Sequence, residues 1–99
     1  MEIIKSVEGK KLNIALSGRL DTVTAPSLEA ALKESLDGIE ELEFNFEKLE
    51  YVSSAGLRVL LSAQKIMNRQ GKMSLSNVDE SIYEIFEITG FSDILTINK

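Results

Sequence analysis

The sequence predicts a single domain of the α/β class, and three observations lead to that expectation. Residues 3–7 are expected to form a short strand, and apolar residues alternate over residues 12–16, so the two segments indicate a hairpin. The same alternation over residues 42–46 predicts a third strand. Helical spacing over residues 53–70, followed by a strand over 72–76, completes a strand–helix–strand unit. Such a unit implies parallel strands joined by a right-handed crossover, whereas hairpin strands are antiparallel.

Glycine and proline residues mark the ends of several of these elements. Glu8-Gly9 is expected to form the hairpin turn, because glycine adopts positive φ without strain. Gly18 is expected to end the second strand and to open a loop. Pro26 fits the first turn of a helix, where its missing N–H is harmless, and Gly38 is expected to end that helix.

Capping residues indicate where the remaining helices begin. Thr24 or Ala25 would be the N-cap of the first helix, and Asp79 would cap the third. Gly90 would end the third helix. The closing segment, residues 94–97, is apolar but too short for its secondary structure to be assigned. The sequence contains no repeat or linker, so one domain over residues 1–99 is expected.

Composition excludes several functional classes. The 99 residues include neither cysteine nor histidine, which removes disulfides, thiolate or imidazole metal sites and Ser-His-Asp triads. The net charge of −5 argues against nucleic acid as a partner. No apolar run is long enough to span a membrane, and no signal-peptide pattern opens the chain. A cytoplasmic protein that is not an enzyme, with no metal or cofactor of its own, is therefore expected.

Two serines stand where the third strand leads into the central helix. Ser53 is a good N-cap, which places Ser54 at the first helical position. Backbone N–H groups without helical partners and the positive end of the helix dipole favour an anion there. Most serines in this position only cap a helix. The alternative is that the Ser54 hydroxyl carries a phosphate.

The central helix has a wide apolar arc and a polar arc of uniform sign. The polar arc contains Arg58, Lys65 and Arg69 together with Ser54. It is either a solvated face or a patch for an acidic partner, and Arg58 is one turn from Ser54. The apolar arc indicates either a helix wedged between the sheet and another helix, or an exposed binding surface. Asp21, in the first loop, is either bonded to local backbone or placed near a partner.

Four segments of this chain, in order and spacing, resemble a STAS domain. They are Gly18-Arg19-Leu20-Asp21, Phe44-Asn45-Phe46, Tyr51-Val52-Ser53-Ser54-Ala55-Gly56-Leu57 and Ile85-Phe86-Glu87-Ile88-Thr89-Gly90-Phe91. The resemblance covers nearly the whole chain. It implies a mixed sheet of four to five strands flanked by three to four helices. Many members continue into a further helix, which this sequence lacks or holds only in part, so an apolar patch on the sheet would be uncovered or shielded by a partner.

Stand-alone domains of this length resemble the bacterial anti-sigma factor antagonists. The resemblance implies transcription regulation by partner switching, in which an anti-sigma factor that is also a serine kinase binds the antagonist and phosphorylates it. Ser54 matches the phosphorylated serine of the family. The implied partner-binding residues are Asp21, Thr22, Ser53, Ser54, Ala55, Gly56 and Arg58. ATP and magnesium would belong to the kinase, and the free chain would be a monomer.

The sequence departs from the family motif at two positions beside Ser54. Ser53 stands where the family often has aspartate, and Ala55 where it has serine or threonine. These changes leave open a constitutive STAS interaction module that is never phosphorylated, within a signalling or transporter-linked assembly. A serine hydrolase using Ser54 is a third hypothesis, but Lys65 is about three turns away along the helix and is too far to act as its base.

Overall fold

Residues 1–98, which the computed structural model describes, form five strands and three α-helices with one short 3-10 turn. The strands are β1 (Glu2–Glu8), β2 (Lys11–Leu20), β3 (Glu41–Val52), β4 (Lys72–Ser76) and β5 (Ile97–Asn98). The helices are α1 (Ala25–Ser35), α2 (Ser54–Gln70) and α3 (Glu80–Thr89), and the 3-10 turn is Phe91–Asp93. This is the α/β architecture that the sequence predicts.

The sheet is mixed, with the strands in the order β1-β2-β3-β4-β5. β1 and β2 are antiparallel, and every other neighbouring pair is parallel. Gly9 has a φ of 61°, so the hairpin turn is at Gly9-Lys10, one residue later than expected. The parallel strands all end at one edge of the sheet, here called the carboxyl edge, and begin at the opposite amino edge.

All three helices pack on one face of the sheet. Successive right-handed crossovers between strands laid down in order place each helix on the same side. The core therefore lies between that face and the helices, and includes strand residues Leu12, Ile14, Leu16, Leu42, Phe44, Phe46, Met73 and Leu75. The other face carries mainly polar side chains, among them Lys11, Asn13, Ser17, Glu41, Glu43 and Asn45. The apolar surface that this face exposes is small, with Ile4 exposed beside Ala15.

β2 and β3 are longer than the sequence patterns indicate. β2 continues past Gly18 to Leu20, because Gly18, with a φ of 90°, lies at a register shift and does not end the strand. β3 runs to Val52, through the charged stretch at residues 47–50. A second register shift between β2 and β3 lies at Ala15 and Ser17. It interrupts the alternation of apolar and polar residues that would have indicated that β3 continues.

α2 packs against β3, β4 and α1, which supports the wedged-helix interpretation of its apolar arc. Two residues differ from that pattern. Gln64 is buried among apolar side chains and donates a hydrogen bond to Asn68 Oδ1 at 2.8 Å. Ile66 lies at the outer border of the arc and is 40% exposed.

The other helix ends agree only in part with the expected positions. Thr24 is the N-cap of α1, but its side chain makes no capping bond, and the helix ends at Ser35 before Gly38. The Asp79 carboxylate accepts the Ile82 N–H at 2.9 Å and caps α3 as expected. Gly90 has a φ of 82° and ends α3. The closing segment resolves into the 3-10 turn and β5.

Candidate functional site

The loops that follow β2 and β3 meet at the carboxyl edge of the sheet. Leu20 and Val52 are register partners at the ends of these parallel strands. The Ser53 N–H donates to the Leu20 carbonyl at 2.8 Å. The start of α2 is therefore fixed next to the bend that carries Asp21, as a site built from both loops requires.

Gly56 brings the two loops into close contact. A Cβ atom at this position would lie 2.6 Å from Leu20 Cγ and 3.1 Å from the Leu20 carbonyl oxygen. Both distances are shorter than normal van der Waals contact, so only glycine lets the first turn of α2 approach the end of β2 this closely. The position was predicted as a partner-binding residue. Because Gly56 is buried, the structure indicates a positioning role instead.

Ser53 and Ser54 divide two roles between them. The Ser53 side chain accepts the Gly56 N–H at 3.3 Å, which confirms it as the N-cap of α2. Ser54 is the first residue of the helix and is exposed. Ala55 is half-buried beside it. The hydroxyl that faces solvent is thus at the end of the helix that favours an anion.

Asp21 organises the first loop through its carboxylate. Oδ1 accepts the Val23 N–H at 3.0 Å and the Thr24 N–H at 3.1 Å, and Oδ2 lies 3.7 Å from Arg19 Nε. The backbone hydrogen bond from Thr24 is the main reason that the pKa of Asp21 is lowered from its usual value. Asp21 is therefore bonded to local backbone, and it is also close to Ser53 and Ser54 through the Leu20 contact.

The Thr24 hydroxyl stabilises the same loop from its other side. It donates to the Arg19 carbonyl at 2.7 Å and accepts the Asp21 N–H at 2.8 Å. Thr22 and Val23 form the exposed tip, and Val23 is 84% exposed. The tip is therefore held in one conformation with an aliphatic side chain facing solvent.

Arg19 and Tyr51 form a pair that the sequence patterns did not indicate. They are register partners on β2 and β3, and the Arg19 guanidinium lies 4.3 Å from the centre of the Tyr51 ring. Stacking and the nearby Asp21 carboxylate hold the guanidinium in place. The pair adds an exposed cation and an exposed ring to the carboxyl edge. The sequence could not indicate this contact, because it depends on the register of the two strands.

The polar arc of α2 leads away from Ser54 as expected. Arg58, Lys65 and Arg69 are all exposed, as is Ser62 between them. Among the residues that the structure describes, none of these three cations is within ion-pair distance of a carboxylate. We call Arg58, Lys65 and Arg69 the basic stripe.

Two properties of the described residues bear on the site and its surroundings. Within residues 1–98, no group of carboxylates is arranged to hold a metal ion. None of the helices over the same residues has the length and apolar character needed to cross a membrane. The carboxyl edge presents the Asp21 carboxylate, the exposed Ser54 hydroxyl and Arg58, which has no ion pair within residues 1–98.

Fold and sequence comparisons define the class of protein. The STAS domain family matches residues 1–99, and the chain belongs to that family. An anti-sigma-B factor antagonist of Staphylococcus aureus is 30% identical over 101 residues, covering 100% of this chain and 94% of the relative. A protein of the same name from Listeria monocytogenes is 33% identical over 99 residues, covering 97% of this chain and 86% of the relative.

Solved structures confirm the fold. An anti-sigma factor antagonist from Mycobacterium paratuberculosis superposes with a TM-score of 0.88 at 19% identity, covering 98% of this chain and 84% of the other. The unphosphorylated form of the anti-sigma factor antagonist SpoIIAA gives a TM-score of 0.79 at 19% identity, with coverage of 99% and 88%. The phosphorylated form of SpoIIAA, from Bacillus, gives 0.76 at 19% identity, with coverage of 99% and 92%.

Proposed function

We propose that this chain is an anti-sigma factor antagonist of the partner-switching type. In its unmodified form it binds an anti-sigma factor through a docking surface made of Asp21, Thr22, Ser53, Ser54, Ala55 and Arg58, and the buried Gly56 positions the two loops that carry these residues. Phosphorylation of Ser54 by the same partner, acting as a kinase, ends that interaction. The observation that carries the proposal is the exposed Ser54 hydroxyl at the start of α2, fixed against the Asp21 loop.

The named relatives support this assignment. Two of them, at 30% and 33% identity, are called anti-sigma-B factor antagonists. SpoIIAA, which shares the fold, has been solved in both unphosphorylated and phosphorylated forms. Both forms share the fold of this chain, with TM-scores of 0.79 and 0.76, so phosphorylation is compatible with this architecture.

The position of Ser54 explains how a phosphate would act without unfolding the domain. A phosphate adds a charge of about −1.5 to −2, which the start of a helix favours. Arg58 is four residues along the same helix and is free of ion pairs within the described part of the chain, so it can partner the phosphate. The added charge then changes the surface that the partner contacts. Each loss of about 1.4 kcal/mol at that surface weakens binding tenfold.

The rest of the proposal concerns the chemistry and location of the chain, and it follows from the role of an antagonist. The chain acts as a binding protein and not as an enzyme, and it carries no cofactor. ATP and magnesium are bound by the kinase partner. We propose a cytoplasmic monomer when free, without nucleic acid or membrane as a partner.

The test uses the anti-sigma factor that the immobilised chain retains from its native cell, identified and then purified. Incubation with this partner and ATP, followed by intact mass measurement, should add a single phosphate. Ser54→Ala should abolish the addition, whereas Ser62→Ala should not, because Ser62 is an exposed serine of the same helix. Binding of the partner without any phosphate transfer would support the constitutive module in place of the switch. Failure of every anti-sigma factor to bind would refute the proposed function.

A further inference from the structure

The basic stripe of α2 places three exposed cations on one helix face, although the chain as a whole is acidic. Acidic residues outnumber basic ones by 16 to 11. Of the seven other Lys and Arg side chains that the structure describes, five lie within ion-pair distance of carboxylates, namely Lys10, Lys11, Arg19, Lys33 and Lys72. The other two, Lys5 and Lys48, are not neighbours on one helix face. Arg58, Lys65 and Arg69 have no such pair within residues 1–98, although all three are exposed. The charge of the stripe is therefore available to a partner.

An apolar groove runs alongside the stripe, between α1 and α2. It has a volume of about 140 Å³, and Leu32, Val59, Ala63 and Ile66 contribute apolar side chains to it. An engineered apolar cavity of ~150 Å³ accepts benzene, so this groove has room for one aliphatic or aromatic side chain. Ile66 is 40% exposed at its border. Ser62 lines the groove and also lies between the cations, which places the two features side by side.

The rim of the groove adds no net charge of its own. Glu29 and Lys33 of α1 line it, and they form an ion pair at 3.5 Å. The electrostatic character of the surface is therefore set by α2. From Arg58 to Arg69 the stripe extends about 16 Å at the usual helical rise. The spacing between neighbouring cations is close to the Debye length at physiological salt, which is about 8 Å. They therefore act on a partner together.

We propose that this groove and the basic stripe form a second docking area, occupied by an acidic amphipathic segment of the anti-sigma factor. An aliphatic side chain of that segment fills the groove, and its carboxylates face Lys65 and Arg69. The inference rests on the proposed function, since it extends the interface from Ser54 along α2. Lys65 and Arg69 lie beyond the docking surface around Ser54, so this area adds affinity and association rate that do not depend on the phosphorylation site.

A charge-reversed variant tests the stripe. Lys65→Glu/Arg69→Glu should weaken binding of the purified anti-sigma factor by about tenfold at low salt, mainly through slower association. The difference should shrink as salt is raised. The matched control is Lys10→Glu/Lys72→Glu, which changes the net charge equally at the amino edge and should have little effect. Equal affinity of the stripe variant and wild type would overturn the inference and leave the proposed function standing.

A second pair of variants tests the groove. Ile66→Ser removes an aliphatic side chain from its border and should weaken binding several-fold with an unchanged salt dependence. Ile88→Ser is the control, because Ile88 is 77% exposed on α3 and outside the groove. Circular dichroism and thermal unfolding establish that each variant is folded. An Ile66→Ser variant that binds as tightly as Ile88→Ser would contradict the groove.

A peptide titration tests the surface without the full partner. The probe is a peptide of about 15 residues with leucines on one helical face and glutamates on the other. In ¹⁵N NMR spectra of the intact chain, it should shift the amides of Lys65, Ile66 and Arg69 at low salt. A peptide with lysines in place of the glutamates should not. If the anti-sigma factor fails to bind at all, the proposed function fails; if the acidic peptide shifts other surfaces instead, the inference fails whatever the partner does.

Discussion

At the amino edge of the sheet, charged residues pair with one another, whereas at the carboxyl edge the Asp21 carboxylate is bonded mainly to backbone N–H groups and only secondarily to Arg19. Lys10 pairs with Glu40 at 3.0 Å, and Lys11 lies 3.3 Å from Glu41 and 3.4 Å from Glu43. At the carboxyl edge, Asp21 is bonded mainly to N–H groups of its own loop, and Ser54 is exposed at a helix start.

This contrast distinguishes charged residues that link neighbouring segments of the sheet from residues that are available to bind a partner. Charges that neutralise each other across neighbouring strands have little left to offer a second molecule. Each exposed pair is also worth only about 0–1 kcal/mol, so the amino edge is not a large source of stability either. The carboxyl edge presents its groups on a fixed backbone, which lowers the entropy cost of binding.

Each edge also contains one glycine that packs closely against another segment of the chain. Substituting each glycine should distinguish the contribution of its edge to stability from its contribution to partner binding. At the amino edge, a Cβ on Gly71 would overlap the Glu40 carbonyl, and the Lys72 N–H donates to that same carbonyl at 3.0 Å. Because backbone cannot move aside cheaply, Gly71→Ala should lower the free energy of unfolding by about 3 kcal/mol or more. Urea unfolding measures this. The Gly38→Ala control, which meets no atom within 4 Å but has a φ of 80°, should cost less; an equal loss would contradict the close-approach explanation.

At the carboxyl edge, Gly56→Ala should cost less than Gly71→Ala, because its Cβ would crowd mainly the Leu20 side chain, with Cγ at 2.6 Å, whereas a Cβ on Gly71 would overlap backbone. We expect a loss of about 1–3 kcal/mol in the free energy of unfolding. Unlike Gly71→Ala, it should also weaken partner binding in the fraction that stays folded. Leu20→Ala combined with Gly56→Ala should cost less than the sum of the two single changes. Strict additivity would show that the two residues are not in contact.

Loss of the cap should have a smaller effect. Ser53→Ala removes the acceptor of the Gly56 N–H and should lower the free energy of unfolding by about 1 kcal/mol. Ser53→Asp keeps an acceptor at the same position and should be close to wild type. Chemical denaturation of the three proteins measures the difference. If Ser53→Ala is as stable as Ser53→Asp, the side-chain cap contributes nothing.

The pH dependence of the Asp21 loop is the smallest effect expected. Because its pKa is lowered in the folded chain, the ionised carboxylate contributes stability above its unfolded value near 3.8. That contribution is lost as the pH falls through the lower, folded pKa. Asp21→Asn keeps the Oδ1 acceptor but not the charge, so its stability deficit should shrink as the pH falls below 3.8 and through the lower, folded pKa of Asp21. A deficit that stays constant over this range would show that the charge is irrelevant.

These comparisons also show which features the sequence could predict. The Ser53 and Asp79 caps were predictable because a cap and its helix are adjacent in the chain. The exposure of Ser54 and of the basic stripe followed from helical spacing alone. The end of β3 was not predictable, because a register shift breaks the alternation on which strand assignment depends.

Contacts between distant residues were the features that the sequence patterns did not reveal. The Arg19–Tyr51 stacking depends on the register of β2 and β3, and the Gly56–Leu20 contact depends on how closely two loops approach. Gln64 appears polar in sequence, yet it is buried in the structure. Each of these is a property of the packed fold and not of a local pattern.

The most direct test of the account is to place phosphoserine at position 54 and measure two quantities on the same sample. We predict that thermal unfolding changes by only a few degrees, because the start of α2 favours an anion. We also predict that affinity for the purified anti-sigma factor falls by about a hundredfold or more, which corresponds to about 2.7 kcal/mol. Unchanged affinity, or a fall in affinity that only accompanies unfolding of the domain, would contradict the central claim that the carboxyl edge is a rigid partner surface switched at Ser54.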